Sequence, residues 1–402
     1  MKLLQCAHCG QRVFFENLRC EACGSALGFV PGELRMAAFR VQDDGSWARL
    51  GSESDAPQRP CQNYAAENVC NWMLAADDPS LYCVSCRTTH IIPALSKPEN
   101  RQYWYQLEHA KRRLFYTLLS LGLPTPSKTD QPQHGLSFQF LEDASPQQRV
   151  LTGHDEGVIT LNIAEANDAH RESTRASMHE PYRTLVGHFR HESGHYYWDR
   201  LLPDSPMLDE YRSLFGDERA DYEAALKAHY ANPPTDWALH FVSAYASAHP
   251  WEDWAECWAH YLHMVDGLDT AAAWGMRLDH AMVDGAPVLP QPIAPGSASV
   301  EASLIQQWLP VSQFVNAMNR SLGSNDGYPF LLPPPVVAKL DFVHRVVSAA
   351  GRGELGVWST DELPPSAPPA PGEAPNVAPT ELPLAAQTPQ QSQTQSAAAP
   401  AP

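Results

Sequence analysis

The sequence predicts an α+β protein in three parts: a cysteine-rich head over residues 1–95, a mostly helical domain with a small sheet over 96–353, and a disordered tail over 354–402. Three observations support this division. Eight of the nine cysteines fall in the head. Beyond the head, helical periodicity dominates, with only two stretches that alternate as strands do. The C-terminal end then loses all such patterning. At 402 residues the chain is long enough to bury a sizeable core.

The head carries two sets of four cysteines with the spacing of zinc ligands. These sets are Cys6, Cys9, Cys20 and Cys23, and then Cys61, Cys70, Cys83 and Cys86. Four thiolates suit a tetrahedral Zn²⁺, so we predict two structural zinc sites on a zinc-ribbon fold. Disulfides are the alternative, but they need an oxidising compartment, and no export signal is visible at the N-terminus. Metal binding would supply most of the folding energy of so small a unit.

Charge and hydropathy limit the partners that can be expected. The formal net charge is −18, and the head holds eight Lys/Arg against ten Asp/Glu without a basic stripe. This balance disfavours nucleic acid and anionic membranes as partners. No apolar run approaches membrane-spanning length, so we expect a cytoplasmic protein. For the head we expect a structural role or a protein partner.

Periodicity places helices and strands beyond the head. Helices are predicted at 103–121, 181–202, 217–230, 250–265, 300–319 and 335–350, and strands at 136–141 and 157–163. The second strand either offers a free edge to an extended peptide or is an ordinary sheet strand. The segment 359–402 contains 11 prolines and 10 alanines with no Lys or Arg, and it cannot bury enough apolar surface to fold.

The densest piece of chemistry is a His-Glu-x-x-His motif within the helix predicted at 181–202. On a helix, positions i and i+4 share one face, so His191 and His195 can bind one Zn²⁺. Glu192 then lies beside the ion, able to take a proton from water, and Gly194 leaves room near it. A core helix with hydrogen-bonded histidines is the alternative. We predict a zinc hydrolase.

A catalytic zinc usually has a third protein ligand. The extended metalloprotease motif would need Gly at 198 and His at 201, where this chain has Trp198 and Leu201. A later acid must therefore serve. Glu252 and Glu256 share one face of an aromatic helix, one turn apart, where buried acids are costly unless a cation meets them. We predict Glu252 as the ligand and Glu256 as the residue that orients a ligand, with the reverse assignment as the alternative.

Here the motifs resemble a known group. The pairing of the 191–195 motif with Glu252-Asp-Trp-Ala-Glu256 is similar to the gluzincin metallopeptidases. In their lethal-factor-like members, a tyrosine seven residues before the glutamate ligand helps to stabilise the tetrahedral intermediate. Tyr245 occupies that position. The resemblance therefore implies Glu252 as the ligand and Tyr245 as a catalytic residue.

A narrower resemblance covers about residues 1–350. The chain resembles the bacterial zinc-binding metallopeptidases with an N-terminal zinc-ribbon domain. Besides the head cysteines, the matching segments are 70–72, 187–198, 215–218 and 248–256. This family is named for its sequence features rather than for a demonstrated reaction. The resemblance implies a zincin-like domain over 96–353 and says little about the substrate.

Together these patterns predict a peptidase with three zinc ions, one catalytic and two structural. Glu192 is expected to act as general base on a peptide or protein substrate. His249 lies between Tyr245 and Glu252, so we predict that it contacts the substrate. Two alternatives stay open: a zinc amidase that acts on a non-peptide or isopeptide bond, and a non-catalytic, zinc-stabilised scaffold that binds peptides.

Overall fold

A computed structural model describes residues 3–51, 57–145, 147–283 and 286–356. The predicted disordered tail, 354–402, lies outside the described residues except for its first three positions. Within the described ranges, no helix combines the length and the apolar character needed to cross a membrane. Small sheets and long helices coexist, as the predicted α+β class requires.

The head is built from short antiparallel strands. They are β1 (Leu4–Gln5), β2 (Arg12–Val13), β3 (Ala26–Val30), β4 (Arg35–Val41), β5 (Trp47–Leu50), β6 (Gln58–Pro60) and β7 (Met73–Ala75), with a one-turn helix α1 (Gln62–Ala65). β1 pairs with β2, β3 to β5 form a three-stranded meander, and β6 pairs with β7. Strands this short bury little apolar surface, which is why the predicted zinc ions matter for the head.

A four-stranded sheet joins one strand from the end of the head with three strands from the region beyond it. Its strands are β8 (Thr89–Ile91), β9 (Ser137–Leu141), β10 (Gly153–Asp155) and β11 (Val158–Asn162), in the order β10-β11-β9-β8. β11 runs parallel to β9 and antiparallel to β10, so both of its edges are paired. Of the two alternatives for the strand at 157–163, the ordinary sheet strand is therefore correct and the free edge is wrong. Glu156 and Gly157, both with positive φ, form the tight turn that folds β10 back onto it.

The rest of the chain is mainly helical. The helices are α2 (Pro98–Ser120), α3 (Asp168–Ser177), α4 (Leu185–Leu201), α5 (Leu208–Phe215), α6 (Tyr222–Ala231), α7 (Pro250–Ala273), α8 (Glu301–Ser303), α9 (Leu309–Ser321) and α10 (Pro334–Gly351). A π-helical segment, Leu304–Trp308, joins α8 to α9, and a hairpin of β12 (Leu278–Val283) and β13 (Ala286–Val288) follows α7.

The helices α4 and α7 pack in direct contact at Gly194. A Cβ atom at this position would lie 2.9 Å from the Ala255 Cα and 3.2 Å from the Trp258 Cβ. Gly194 therefore makes room for the backbone of α7, and not for a metal ion as we had predicted. Trp254 donates its indole N–H to the Gly194 carbonyl at 2.8 Å, and Trp258 donates to the Ser193 hydroxyl at 3.1 Å. These bonds hold the two helices in one alignment.

The head shares an aromatic cluster with α2. Phe15 and Phe29 of the head lie with ring centroids 4.9 Å apart, and Trp72 stacks beside Phe29 at 4.9 Å. Tyr116 of α2 completes the cluster, at 5.5 Å from Phe15 and 5.9 Å from Phe29. All four rings are buried. Burial of such rings contributes strongly to stability, so the head is anchored on the helical region.

Candidate active site and metal centres

Three predicted ligand atoms converge between α4 and α7. His191 Nε2 lies 3.0 Å from Glu252 Oε2, His195 Nε2 lies 3.5 Å from the same oxygen, and the two nitrogens are 3.2 Å apart. Ligands placed about 2.1 Å from a tetrahedral zinc ion are about 3.4 Å from one another. The donor set and its spacing therefore fit zinc. The two histidines occupy one face of α4, as their i, i+4 spacing predicted.

The first turn of α7 presents Glu252 to the histidines. Pro250 suits this turn because its missing N–H would have no partner there. His249 is the N-cap residue: its Nδ1 accepts the Trp251 N–H at 3.1 Å, and its Nε2 lies 3.1 Å from the Ala220 carbonyl. Both nitrogens of His249 are engaged by backbone groups. Contact between His249 and the substrate stays a prediction.

Glu256 lies one turn further along α7, behind His191. Its Oε1 is 2.8 Å from His191 Nδ1, and its Oε2 accepts a hydrogen bond from the Ser243 hydroxyl at 2.6 Å. Burial raises the pKa of Glu256, but His191, His260 and the Ser243 hydroxyl together outweigh burial and leave the pKa below its usual range. An ionised carboxylate at this position fixes the ring orientation and tautomer of a histidine ligand. The role of Glu256 in orienting His191 stays a prediction, and the 2.8 Å contact is the one that it requires.

Glu192 and Glu252 are both buried, yet their pKa values move in opposite directions. Burial raises the pKa of Glu192 against the opposing influence of His191 and His195. Burial also raises the pKa of Glu252. The two histidines outweigh this effect and hold the pKa well below its usual range. Two carboxylates with pKa values pushed apart suit two different roles, a proton acceptor and a permanently ionised ligand.

Two tyrosines lie near the three candidate metal ligands. Tyr245 lies in a 3-10 turn, Tyr245–Ser247, with its ring centroid 6.0 Å from that of His191. Tyr222, at the start of α6, donates its hydroxyl to Glu252 Oε1 at 2.5 Å. Burial raises the pKa of both hydroxyls, so both stay protonated. A catalytic role was predicted from the sequence for Tyr245, whereas no role was predicted for Tyr222.

Two further side chains beside the site were also missed. The Trp251 ring lies 3.9 Å from the His195 ring between centroids and is partly exposed. The His154 ring of β10 lies 6.3 Å from the His195 ring and 6.2 Å from the Trp251 ring, so the three rings are mutual neighbours. Burial lowers the pKa of His154 to about 3, so the ring is neutral. No motif spacing links β10 to α4, so only the folded chain reveals these neighbours.

The cysteines of the head gather in their two predicted sets. In the first set, Cys6 Sγ lies 3.8 Å from Cys23 Sγ, and the sulfurs of Cys9 and Cys20 are 3.6 Å apart. In the second, Cys70 and Cys83 are 3.8 Å apart. Disulfide sulfurs would be about 2.05 Å apart. Tetrahedral zinc with Zn–S bonds of about 2.3 Å would place them about 3.8 Å apart, so both sets fit zinc. Within each set all four ligand atoms lie within 4.8 Å of one another.

The second set of cysteines lies against α2. Cys86 Sγ is 3.9 Å from Glu108 Oε2, and Glu108 pairs with Lys111 at 3.1 Å. Arg112 is also buried and donates to the Val69 carbonyl at 2.5 Å. Burial lowers the pKa of Arg112, but the nearby thiols and Glu108 more than compensate. Buried cations of this kind offset the negative charge of a zinc tetrathiolate.

Comparisons with known proteins agree with this geometry. A family model described as "Putative zinc-binding metallo-peptidase" matches residues 100–346, and a zinc-ribbon domain model matches residues 3–97. The fold and site thus define a zinc-binding protein of the metallopeptidase class. The chain belongs to the family of zinc-binding metallopeptidases that the first model describes, here with an N-terminal zinc ribbon.

Two mycobacterial proteins are similar in sequence to this chain. Uncharacterized protein Rv2568c of Mycobacterium tuberculosis and uncharacterized protein Mb2598c of Mycobacterium bovis are each 44% identical to this chain over 349 residues. The match covers 86% of this chain and 95% of each relative. No solved structure matches the chain.

Proposed function

We propose that this chain is a zinc-dependent peptidase that hydrolyses peptide bonds in a peptide or protein substrate. The observation that carries the proposal is the convergence of His191 Nε2, His195 Nε2 and Glu252 Oε2 within 3.5 Å of one another. These three residues hold the catalytic ion. The buried Glu192, next to His191 on α4, then stands beside the reacting atoms. A gluzincin-like arrangement of this kind is what the family resemblance implies.

Zinc, when bound, supplies Lewis acidity that acidifies water and polarises a carbonyl group. The residues of the chain do the rest. Glu192 accepts a proton from the attacking water and passes it to the leaving amine, which its raised pKa favours. Tyr245 donates a hydrogen bond to the developing oxyanion, a contribution of about 2–4 kcal/mol. Glu256 keeps His191 in the orientation that binding requires.

We further propose three zinc ions per chain: the catalytic ion and one ion in each cysteine set. The head then serves a structural role or docks a protein partner, and its acidic balance disfavours nucleic acid. Eight thiols committed to metal sites favour a reducing compartment, so we propose the cytoplasm. In this scheme the two domains are the head, 1–95, and the metallopeptidase domain, 96–353, and the two family models match residues 3–97 and 100–346.

The experiment compares the full chain with Glu192→Gln on a proteome-derived peptide library, read by mass spectrometry. We expect the wild type to cut peptide bonds and Glu192→Gln to be at least about 100-fold slower, with an equal zinc content. Tyr245→Phe should also cut more slowly. Glu223→Gln, the same change at an exposed position of α6, is the control and should cut normally.

Other outcomes would contradict the proposal in distinct ways. Loss of zinc from Glu192→Gln would mean that Glu192 is not the general base. A fully zinc-loaded wild type that cuts no peptide bond would favour the amidase or the non-catalytic scaffold. An isopeptide-linked substrate tested in parallel separates those two alternatives.

A further inference from the structure

We infer that Tyr222 is a positioning residue for the catalytic metal: its hydroxyl holds one oxygen of Glu252, so that only the other oxygen faces the histidines. The inference rests on the proposed function, because it concerns the same metal site. It adds a residue that neither the motif spacing nor the family resemblance assigns. The separate contacts of the two Glu252 oxygens support this role for Tyr222.

The two carboxylate oxygens of Glu252 have separate partners. Oε2 lies 3.0 Å from His191 Nε2 and 3.5 Å from His195 Nε2. Oε1 accepts the Tyr222 hydroxyl at 2.5 Å. Glu252 is only 1% exposed, so bulk water does not compete for Oε1. A carboxylate whose second oxygen is held in this way binds a metal through one oxygen, which keeps a coordination position open for substrate or water.

The start of α6 holds the Tyr222 ring in place. Asp221 caps the helix with its side chain, and Tyr222 is the first helical residue. The ring lies edge-on to His249 at 5.2 Å and to Trp251 at 6.0 Å. His249 also bonds to the Ala220 carbonyl, which ties the start of α6 to the start of α7. The hydroxyl is therefore placed by the packing of two helix ends, before any metal binds.

Hydrogen-bond counting separates the roles of the two tyrosines. A phenol has one proton to donate. Tyr222 donates its proton to Glu252, so this hydroxyl is not available to an oxyanion. The Tyr245 ring lies 6.0 Å from the His191 ring, and in the proposed function its hydroxyl is the donor to the oxyanion. Tyr222 thus acts through the metal ligand, whereas Tyr245 is the residue that meets the reacting atoms.

The first test measures zinc affinity in the full chain. The labile zinc is removed with a chelator and returned in competition with a chelating dye, while the thiolate-bound zinc stays in place. Tyr222→Phe removes only the hydroxyl, and we expect it to bind the labile zinc about 10–100-fold more weakly. Tyr230→Phe, on the same helix and 62% exposed, is the matched control and should bind as the wild type does.

The second test is spectroscopic and follows coordination without any turnover. In the chain loaded with ¹¹³Cd, the resonance of the nitrogen and oxygen site should shift in Tyr222→Phe, because the freed carboxylate can bind through both oxygens. The resonances of the two thiolate sites should stay in place, which also shows that the variant is folded. A merely structural role for Tyr222 would not move the first resonance alone.

Glu252→Ala separates failure of the inference from failure of the proposed function. If Glu252→Ala loses the labile zinc while Tyr222→Phe binds zinc and cadmium as the wild type does, the inference is overturned and the proposed site stands. If Glu252→Ala keeps the labile zinc with unchanged affinity, the proposed site itself is wrong, and the inference falls with it.

Discussion

At the residue scale, Glu165 illustrates how a buried charge supports the metal-binding helix from outside the site. The side chain of Glu165 pairs with Arg183 at 2.5 Å and lies 3.1 Å from His188 Nε2, near the start of α4. Burial raises the pKa of Glu165, but His188 and Arg183 outweigh burial and lower it from 4.5 to about 2. A carboxylate with a lowered pKa stabilises the fold only while it is ionised.

The pKa shift of Glu165 predicts an acid dependence of stability. The stabilisation is complete above about pH 4.5 and is lost as the pH falls from there towards 2. Glu165→Gln should therefore lower the free energy of unfolding by up to about 3 kcal/mol at pH 7. Denaturant unfolding at pH 7 and pH 3 measures both values, and the difference between variant and wild type should shrink at the lower pH.

Glu172→Gln provides the control for this prediction. Glu172 pairs with Arg175 on α3, but its side chain is 63% exposed. Exposed pairs contribute little, so this variant should match the wild type at both pH values. An equal loss of stability at pH 7 and pH 3 in Glu165→Gln would show that Glu165 stabilises the fold through its hydrogen-bond geometry and not through its charge.

The residues of the site differ in how far the sequence could predict them. His191 and His195 follow from helical spacing, and the structure brings Glu252 to them as the search for a distant acid had predicted. Tyr222 could not be found in this way, because no periodicity links α6 to α7. His249 caps α7 with Nδ1 and contacts the Ala220 carbonyl with Nε2, uses that its position between Tyr245 and Glu252 did not suggest.

At the scale of elements, the site depends on how closely α4 approaches α7. Gly194 permits this approach, because any side chain there would meet the α7 backbone at Ala255. The indole bonds from Trp254 and Trp258 then fix the sliding and rotation of one helix against the other. The histidines and Glu252 belong to different helices, so their convergence is a direct result of this interface.

Gly194→Ala tests the interface between the two helices. Overpacking costs about 1–3 kcal/mol, and the better helix propensity of alanine returns up to about 1 kcal/mol. We expect a net loss of about 1–2 kcal/mol in thermal unfolding, together with weaker binding of the labile zinc. Gly32→Ala, where a Cβ meets open space, should change neither quantity. Unchanged zinc binding in a destabilised Gly194→Ala would uncouple the site from the interface.

Each of the six predicted helical segments contains a helix, but α3 and α5 were not predicted, and the helix ends differ from the predicted ones. α2 begins at Pro98 rather than at 103, because its first turn is polar and carries no apolar periodicity. α6 begins only at Tyr222, after the Asp221 cap, whereas the pattern suggested 217. The helix predicted at 300–319 is interrupted by a π-helical segment before Pro310, which has no N–H to donate. Such ends depend on capping and tertiary contacts rather than on periodicity.

At the scale of the whole molecule, the two cysteine sets have different surroundings. In the first set Cys9 and Cys23 are exposed. The four cysteines of the second set are all buried, and this set adjoins the charged cluster of α2 around Glu108. The first set therefore stabilises a peripheral loop, whereas the second also supports the junction between the head and the helical region.

Paired substitutions test this difference. Cys83→Ser should lower the stability of the whole chain by about 4 kcal/mol or more, the range for loss of a metal site, and expose α2 to hydrogen exchange. Cys9→Ser should lose one zinc ion as well. The increase in hydrogen exchange relative to the wild type should be confined to about residues 3–25. Thermal unfolding and exchange mass spectrometry measure both effects. Equal global loss in the two variants would mean that the head unfolds as a single unit.

The aromatic cluster that joins the head to α2 has a consequence for inheritance. Three of its rings, Phe15, Phe29 and Trp72, come from the head, and the fourth, Tyr116, comes from α2. A zinc ribbon moved by recombination onto an unrelated enzyme would lack the fourth ring of this cluster, the one that α2 supplies. The new host domain would need an aromatic residue at the equivalent position before the ribbon could pack against it as stably. The two regions are therefore expected to descend together and to diverge in step.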